Sequence, residues 1–340
     1  MKHLLIILSV LLLSSPLFGQ ETGVLYQYET SSGIQWKNFG NEKVQPKYEG
    51  EIKNGKMDGL GVLIYPYGEK SIVGEWKNGK EWNTKHRKKD GTLLGKYENG
   101  KWIVRLFVSV GQSGTILTSP DGNSWTERDS GTSNLLFGVT YGNSTFVTVG
   151  QSGTILTSPD GTSWTQRTSG TPYDLRGVTY GNGLFVTVGR YRTILTSSDG
   201  TSWTERTSGI SKYLYLRGVT YGNGLFVTVG DSGTLLTSSD GYSWNERTSG
   251  TSEYLEGITY GNGLFVTVGD SGTILTSSNG TSWTQRTSGT SKTLRRVTYG
   301  NGLFVTVGYS GTIFTSTDGN SWTQRTSGTS EYLRGVTYSQ

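Results

Sequence analysis

The chain has 340 residues, a formal net charge of +5 and no cysteine, and 32% of its residues are hydrophobic. The lack of cysteine excludes disulfides, thiol catalysis and zinc–thiolate sites. A positive excess this small, spread over a large surface, does not predict nucleic-acid binding. We therefore expect no nucleic acid among the partners, and the sequence indicates neither a metal site nor a cofactor.

The first twenty residues have the pattern of a secretory signal peptide. A short basic start at Met1–His3 precedes the apolar run Leu4–Leu13, and the small residue Gly19 follows. Ten apolar or small residues are too few to cross about 30 Å of hydrocarbon, so a transmembrane anchor is the less favoured interpretation. Residues 1–20 thus predict an exported protein, periplasmic or secreted.

Residues 21–102 contain a short repeat. The fullest copy is Tyr48–Gly61, and partial copies follow at Val73–Lys80 and Leu94–Lys101. This pattern of Tyr, Gly and Asn-Gly resembles the MORN repeat. The resemblance implies stacked β-hairpins, in which Asn-Gly forms tight turns that need positive φ. The aromatic segment 21–47 is predicted to add a hairpin that caps the stack.

A basic run, Lys85–Lys89, lies within this region. Basic clusters attract acidic lipid head groups by about 1 kcal/mol per residue, so contact with a membrane surface is one interpretation. The other is a solvated loop between two hairpins, which we favour. MORN repeats have been linked to both lipid contact and protein association, so the resemblance does not decide between the two.

Six copies of a longer repeat occupy residues 103–340. Each contains Ser-x-Asp-Gly-x-Ser-Trp or a close variant, and the spacings between the six tryptophans are 39, 39, 41, 39 and 39 residues. A unit of about 40 residues, rich in Thr, Val, Tyr and Trp and punctuated by Gly, has the size of one four-stranded propeller blade. The sequence therefore predicts an all-β protein, a six-bladed β-propeller preceded by a small MORN-type β-hairpin stack.

Alternating apolar and polar residues locate the four strands of one copy. They are predicted at Leu216–Tyr221, Leu225–Gly230, Thr234–Ser238 and Ser243–Thr248. The first copy opens at Leu106 without an innermost strand, whereas the last copy ends in an unpaired one, residues 333–338. We predict that strand 333–338 completes the first blade and closes the ring, which removes an exposed sheet edge.

The turn before each tryptophan looks like an Asp-box, also called a BNR repeat. The whole repeat is similar to the sialidase-like propellers, and within them to the photosystem II assembly factor type. The residues that carry the resemblance are Asp121, Trp125, Asp160, Trp164, Asp199, Trp203, Asp240, Trp244, Asn279, Trp283, Asp318 and Trp322. The resemblance implies a fold more than an activity, because an Asp-box is a hairpin turn whose Asp caps backbone amides and whose Trp packs between blades. We interpret these residues as structural.

Positions that differ among the copies are available for a ligand. They lie in the linkers that enter the innermost strands and in the connections between the second and third strands, and propeller topology puts both sets on one side, here called the variable face. One position per blade reads Phe137, Arg176, Arg217, Glu256, Arg295 and Arg334 around the ring. Tyrosines flank this ring at Tyr173, Tyr213, Tyr254 and Tyr332. Guanidiniums suit planar anions and tyrosines suit sugars or peptides, although these arginines could equally serve only to stack or to pair with Glu256.

A sialidase-type reaction needs arginines on the substrate carboxylate, a Tyr activated by a Glu, and an Asp as acid or base. Residues of these types exist at Arg176, Arg217, Arg334, Glu256, Tyr254 and Asp231. Their copies carry no insertion that would distinguish a catalytic site, and His86 is the only histidine beyond the signal peptide. We therefore expect that the protein is not an enzyme.

Taken together, the residues predict an exported, non-catalytic binding or scaffold protein that uses the variable face to bind a protein or an anionic ligand, in the assembly of an envelope complex. Two alternatives remain open. One is a sialidase-like glycan-binding or glycoside hydrolase protein. The other is a surface-display or structural repeat protein with no single ligand.

Overall fold

The computed structural model describes residues 21–89, 91, 93–103, 106–120, 122–210 and 214–336. The predicted signal peptide, Asp121 and Tyr213 lie outside these ranges. The chain divides into two compact units, of which the first extends to Phe107 and includes Ser119–Trp125, and the second comprises Val108–Thr118 and everything from Thr126 onward. Within the described ranges, no helix has the length and apolar character needed to cross a bilayer.

The first unit contains one antiparallel sheet, the N-terminal sheet. Its strands run in the order β2-β1-β3-β4-β5-β6-β7-β8. Their bounds are β1 Glu21–Thr30, β2 Gly33–Lys37, β3 Lys47–Lys53, β4 Lys56–Ile64, β5 Lys70–Lys77, β6 Lys80–Lys88, β7 Leu93–Glu98 and β8 Lys101–Ile103. Asn54, Asn78 and Asn99 each have a φ of 52° and precede a glycine with positive φ, as two-residue hairpins require. The predicted hairpin stack is therefore confirmed.

Tyr48 organises the core of this sheet. The side chain is fully buried and packs edge-on against Trp76, with 5.5 Å between ring centroids. Its hydroxyl donates a 3.0 Å hydrogen bond to the carbonyl of Glu51. A Cβ on Gly61 would overlap the Tyr48 ring. The tyrosine and the glycine of the repeat are thus two halves of one packing contact, and burial raises the pKa of Tyr48.

The basic run does not form the solvated loop that we favoured. Lys85–Lys88 lie within β6, where Lys85 pairs with Val73 and Arg87 with Ser71. Successive side chains of a strand point to opposite faces, so His86 is buried while Lys85, Arg87 and Lys88 are exposed. The loop prediction was wrong because it read the charges without their alternation.

Six small antiparallel sheets follow, and we number them in chain order. Sheet 1 has three strands, β9 Phe107–Val110, β10 Ile116–Ser119 and β11 Thr126–Arg128. Sheet 2 contains β12 Leu136–Gly142, β13 Thr145–Gly150, β14 Ile155–Ser158 and β15 Thr165–Arg167. Sheet 3 contains β16 Leu175–Gly181, β17 Leu184–Gly189, β18 Ile194–Ser197 and β19 Thr204–Glu205.

The last three sheets repeat the same order. Sheet 4 contains β20 Leu216–Gly222, β21 Leu225–Gly230, β22 Leu235–Ser238 and β23 Asn245–Glu246. Sheet 5 contains β24 Leu255–Gly261, β25 Leu264–Gly269, β26 Ile274–Ser277 and β27 Thr284–Arg286. Sheet 6 contains β28 Leu294–Gly300, β29 Leu303–Gly308, β30 Ile313–Ser316 and β31 Thr323–Arg325. The prediction of an all-β propeller is confirmed.

The hydrophobic core lies between consecutive sheets. Val186 and Val188 of sheet 3 pack in one cluster with Leu216 and Phe226 of sheet 4, and all four are fully buried. The innermost strands of neighbouring sheets also run close together, since a Cβ on Gly177 would lie 3.4 Å from the Cα atom of Gly218. Each sheet therefore depends on its neighbour for the burial of its apolar side chains.

The closing strand is not formed over its described residues. Leu333–Val336 adopt no strand, and the Leu333 amide donates to the carbonyl of Gly308, 3.0 Å away. In sheet 1, β9 pairs only with β10 among the described strands. Each other innermost strand is joined to its partner by a tight turn, whereas residues 333–338 must close a loop of more than 200 residues without one, at an entropic cost. Closure of the ring by residues 333–338 stays a prediction, since 337 and 338 lie outside the described ranges.

In each of sheets 3 to 6, a tyrosine docks on a glycine of the sheet before it. A Cβ on Gly181 would overlap the Tyr221 ring. The same relation joins Gly142 to Tyr180, Gly222 to Tyr260 and Gly261 to Tyr299. These glycines are required by the tyrosine that covers them, which explains why the Tyr-Gly pair is repeated along the chain.

Replacing Gly181 with alanine should therefore destabilise the propeller. We expect Gly181→Ala to lower the free energy of unfolding by about 2 kcal/mol, because the Tyr221 ring must move to admit the methyl group. Denaturant unfolding would measure the change. Gly111→Ala is the matched control, since Gly111 has an extended φ of −164° and its Cβ would have 4.0 Å to the nearest atom. Equal destabilisation by the two variants would contradict the docking argument.

Candidate functional site

The residues predicted to form Asp-boxes make their side-chain hydrogen bonds within their own turns. The Asp160 carboxylate accepts from the amides of Thr162 and Ser163 at 2.8 and 3.2 Å, and the Trp164 indole donates to the Gly161 carbonyl at 3.1 Å. The same acceptor geometry is found at Asp199, Asp240, Asn279 and Asp318. The same indole bond is found at Trp125, Trp203, Trp244, Trp283 and Trp322. Asp121 lies outside the described residues.

The turn hydrogen bonds also shift the ionisation of these carboxyls. Hydrogen bonds from Thr162, first from its side chain and then from its amide, lower the pKa of Asp160 to about 2. Partial burial acts in the opposite direction and is outweighed. The carboxylate is therefore ionised at any pH near neutrality, and its oxygens are occupied by the turn.

We expect Asp160→Ala to lower the free energy of unfolding by about 1 kcal/mol at neutral pH, because two amides lose their acceptor. The folded-state pKa lies below the ordinary value of 3.8, so the stability from the charged carboxylate is present above that value and is lost as the pH falls toward 2. Unfolding measured from pH 7 to pH 2 would follow this loss.

Asp160→Asn is the matched control, because the chain itself has Asn279 at the equivalent place. Asn279 accepts from the amides of Thr281 and Ser282 at 2.9 and 3.0 Å. The amide variant should keep the turn, and the difference in stability between it and the wild type should narrow below about pH 4. A difference that stays constant down to pH 2 would count against a role for the charge.

The two variable sets of residues meet within each sheet. The amide of Asp231, in the connection between β21 and β22, donates to the carbonyl of Tyr215, which precedes β20, at 3.0 Å. Equivalent bonds join Arg190 to Asp174 at 2.9 Å and Tyr309 to Thr293 at 3.0 Å. Backbone hydrogen bonds thus bring the linkers and the connections together on the variable face.

Glu256 is the centre of one charged cluster on this face. Its Oε1 atom accepts from Arg217 Nη1 at 3.0 Å and lies 2.9 Å from Arg295 Nη1, and only 5% of its side chain is exposed. Arg217 Nε also donates to Asp231 Oδ1 at 2.5 Å. Burial opposes the charge of Arg217, but its bonds to Asp231 and Glu256 raise its pKa. Three predicted residues from three adjacent sheets are therefore linked by ion pairs.

Asp174 is the centre of the second cluster. Its Oδ2 atom lies 3.1 Å from Arg176 Nη2 and 3.6 Å from Arg190 Nε. The Arg176 guanidinium is also 4.0 Å from the centroid of the Phe137 ring, in a cation–π contact. Burial lowers the pKa of Arg176, and Asp174 counteracts this in part. An arginine remains protonated at physiological pH despite such a shift.

The remaining predicted residues are less engaged. Tyr254 lies under the Arg217 guanidinium at 5.1 Å, and Tyr332 stacks on Tyr309 with 4.3 Å between centroids. Arg334 is exposed, and no carboxylate of the described residues lies within ion-pair distance of it. Tyr213 lies outside the described ranges. The predicted ring is thus brought together at Arg176, Arg217, Glu256 and Arg295, but not at Arg334.

Sequence reasoning missed Arg296. It occupies the place that glycine takes in the equivalent strands, and its Nη1 atom donates to the carbonyls of Glu256 and Arg295 at 2.8 and 3.0 Å. Burial, followed by the charge of Arg295, lowers its pKa. The signal was visible as the one break in the Leu-x-Gly-Val/Ile-Thr-Tyr pattern of the complete copies, where Leu-Arg-Arg-Val stands instead. Asp174, Arg190 and Tyr215 were also left out of the predicted site.

No three of the described His, Asp and Glu side chains are close enough together to hold a metal ion. The carboxylates of the two charged clusters, Asp174, Asp231 and Glu256, are paired with guanidiniums. What this face can do chemically is to contact an anion, because it carries several permanently charged donors and aromatic rings at a solvent-accessible surface.

Comparison with known proteins supports the two folds. A MORN repeat model matches residues 48–69. The search of curated proteins found no match. Among solved structures, the chain is similar to "YCF48 bound to D1 peptide", with a TM-score of 0.52, 20% identity and coverage of 64% of this chain and 76% of that chain.

A second similar structure is YCF48 from Cyanidioschyzon merolae, with a TM-score of 0.54, 15% identity and coverage of 68% of this chain and 84% of that chain. At these identities, the likeness establishes the β-propeller fold alone. It agrees with the β-propeller expected from the sequence. The finer resemblance to Asp-box and sialidase proteins stays a prediction.

Proposed function

We propose that the protein is an exported, non-catalytic binding protein whose variable face takes up a carboxylate-bearing segment of a protein partner. The observation that carries this proposal is an excess of guanidiniums. Within the two clusters, five arginines, Arg176, Arg190, Arg217, Arg295 and Arg296, meet three carboxylates, Asp174, Asp231 and Glu256. Five positive and three negative charges leave +2, which a bound anion would neutralise.

The kind of charge favours a carboxylate. A guanidinium presents fixed, planar donors that match a carboxylate in two-point contacts. Four of the five arginines also lie over aromatic rings, namely Arg176 over Phe137, Arg190 over Tyr215, Arg217 over Tyr254 and Arg295 over Tyr309. Stacking fixes the direction of the donors and lowers the entropy that binding must overcome. Tyrosine-rich surfaces of this kind suit peptide contacts.

The same contacts support a non-catalytic role. A sialidase-type nucleophile needs a Glu that is free to accept the proton of a Tyr. The Glu256 carboxylate is instead held by Arg217 and Arg295, and the Tyr254 ring packs against Arg217.

A role in assembly is part of the proposal. One of the similar structures is that of YCF48 bound to D1 peptide. That binding belongs to YCF48, and for this chain it supports only the class of partner. Export rests on the pattern of residues 1–20, and it places the partner in the periplasm or outside the cell.

A second candidate partner for the N-terminal sheet is an anionic membrane surface. Lys85 and Arg87 are two residues apart on β6 and exposed on one face, with Lys88 and Lys89 exposed beside them. Flotation with phosphatidylserine vesicles tests this contact. Binding that disappears in Lys85→Gln/Arg87→Gln supports it, and binding equal to that of neutral vesicles contradicts it.

The binding proposal predicts the effect of removing two guanidiniums. We expect the mature chain to bind acetylated 12-residue peptides with four glutamates more tightly than their glutamine counterparts. Arg176→Gln/Arg295→Gln should weaken this binding by about tenfold or more, since each charge-assisted contact contributes about 1.5–3 kcal/mol. Arg286→Gln is the matched control, because Arg286 is on the outermost strand of sheet 5 and bonds to Thr276. Equal affinity for both peptides, or equal loss in the control, would refute the proposal.

Glu256→Gln should act in the opposite direction. It removes a carboxylate that competes with the ligand for Arg217 and Arg295, so affinity for the acidic peptide should rise several-fold. The free energy of unfolding should fall by about 3 kcal/mol, because buried guanidiniums lose their partner. Fluorescence titration and denaturant unfolding would measure the two effects. A variant that remains folded and binds the acidic peptide more weakly would contradict the assigned role of Glu256.

A further inference from the structure

One turn on the variable face departs from its five equivalents. These turns read Gln-Ser-Gly at 112–114 and 151–153, Asp-Ser-Gly at 231–233 and 270–272, and Tyr-Ser-Gly at 309–311. The equivalent turn in sheet 3 reads Arg190-Tyr191-Arg192. The second and third residues of every turn have positive φ, and Tyr191 and Arg192 adopt it at 53° and 57°. Sheet 3 therefore holds two bulky residues in a conformation that favours glycine.

The linker of the same sheet has changed to match. In the Asp-Ser-Gly turn of sheet 4, a Cβ on Gly233 would overlap the Thr251 carbonyl. The residue equivalent to Thr251 is Ile210. The linker is also longer, because Leu216 is eight positions after Ser208, whereas Leu255 is six positions after Ser249. The Arg192 Nη1 atom donates to the Ile210 carbonyl at 2.7 Å, and its amide donates to the Leu214 carbonyl at 2.8 Å.

These changes are coupled. Ile210 is buried in the core cluster that also contains Leu216 and Trp244. The carbonyls of Ile210 and Leu214 both accept hydrogen bonds from Arg192, so the turn and these two linker residues hold each other in place. A turn whose sequence had changed by chance alone would not be accompanied by a matching change in the linker. Strain that is retained with such support is typical of functional positions.

The result is a cluster of three tyrosine rings. Tyr191 packs edge-on against Tyr173 at 4.6 Å and against Tyr215 at 5.9 Å between centroids. Tyr173 and Tyr191 are still 42% and 41% exposed. Each of these two rings therefore keeps exposed surface against which an aromatic group of a ligand can pack. No other sheet among the described residues places three tyrosines together in this way.

Arg190 joins this cluster to the charged part of the face. Its guanidinium lies 4.8 Å from the Tyr215 centroid, and its buried Nε atom has no hydrogen-bond partner among the described residues. The Asp174 oxygen nearest to it is 3.6 Å away and is already bonded to Arg176. The Arg190 side chain as a whole is 40% exposed, so its guanidinium presents donors to a ligand beside the rings.

We propose that Tyr173, Tyr191, Tyr215 and Arg190 form an aromatic subsite, which takes an aromatic side chain lying next to a carboxylate of the bound segment. The subsite rests on the proposed function, because it refines which carboxylate-bearing segment the face selects. The ring of the ligand packs against Tyr173 and Tyr191, and its carboxylate accepts from Arg190. The other sheets present Ser where sheet 3 presents Tyr191, so the register of the segment is set by this one sheet.

The subsite can be probed with small molecules and the mature chain by saturation-transfer NMR. N-acetyltryptophan carries both groups, N-acetylleucine lacks the aromatic ring, and N-acetyltryptophanamide lacks the charge. N-acetyltryptophan should bind in about the millimolar range and about tenfold more tightly than N-acetylleucine. Equal binding of the two acids, or no binding of N-acetyltryptophan, overturns the subsite. Equal binding of N-acetyltryptophan and its amide refutes carboxylate recognition and with it the proposed function. The aromatic subsite is then judged separately, by whether N-acetyltryptophan binds more tightly than N-acetylleucine.

The decisive variant gives sheet 3 the turn that sheets 4 and 5 already have, Arg190→Asp/Tyr191→Ser/Arg192→Gly. This change removes bulky residues from positive φ but also removes the Arg192 bond to the Ile210 carbonyl, so thermal unfolding is measured alongside and should show a folded variant. The preference for N-acetyltryptophan over N-acetylleucine should disappear. Tyr173→Ala, at an exposed ring, provides a second variant that keeps the turn, and it should reduce the preference. Asp270→Gln, which gives sheet 5 the turn of sheets 1 and 2, is the matched control and should leave it unchanged. A preference that survives in the triple variant overturns the subsite.

Discussion

The docking of a tyrosine ring on the glycine of the preceding sheet is the contact on which the propeller depends. Gly142, Gly181, Gly222 and Gly261 each lie beneath the tyrosine of the next sheet, with no room for a Cβ. Each contact fixes how one sheet lies on its neighbour, and the valines and phenylalanines between them are buried as a consequence. A substitution at any of these glycines would disturb two sheets at once. Variation in the repeat is therefore confined to positions that this contact does not use.

The glycines nearest the axis obey a weaker constraint, and the charged site exploits it. A Cβ on Gly138 or Gly218 would make only ordinary contacts with the neighbouring strand, at 3.6 and 3.4 Å. A side chain can be accommodated at such a position, and in sheet 6 it is Arg296. Its guanidinium binds the backbone carbonyls of Glu256 and Arg295, so it braces the two residues whose side chains form an ion pair. The innermost-strand position where a side chain meets the fewest close contacts is thus the one that an arginine occupies in sheet 6.

The sequence predicted the repeated sheets well because the tight turns and the period-two alternation are local properties. Asn54-Gly55 and Asp160-Gly161 require particular backbone angles whatever surrounds them. The basic run at Lys85 was misjudged although its alternation was visible. The predicted closing strand, residues 333–338, requires a long-range pairing that no local turn enforces. Long-range pairing is the least readable feature of a single sequence.

The sequence predicted which charged residues lie in the candidate site, but not which residue each of them pairs with. Period and topology located Arg176, Arg217, Glu256 and Arg295 on one face. Which carboxylate each arginine binds depends on side-chain reach across sheets, and a comparison of copies contains no such information. Asp174 shares its place in the repeat with Leu135, Tyr215, Tyr254 and Thr293, so nothing marked it as the partner of Arg176. Arg296 and Tyr191 were visible as breaks in the repeat, and both break it where glycine or serine is the rule.

Asn279 shows how the carboxylates of the constant turns differ from those of the variable face. It replaces an aspartate in one turn and keeps the hydrogen bonds to Thr281, Ser282 and Ser277. The turn therefore needs an oxygen acceptor in a fixed place, and the negative charge is dispensable. The carboxylates of the variable face differ, because Glu256 and Asp174 each lie between two guanidiniums, where a neutral amide would leave positive charge uncompensated. In the constant turns the charge adds stability but is not needed for the hydrogen bonds, whereas on the variable face it balances the arginines, which supports the proposal that recognition occurs there.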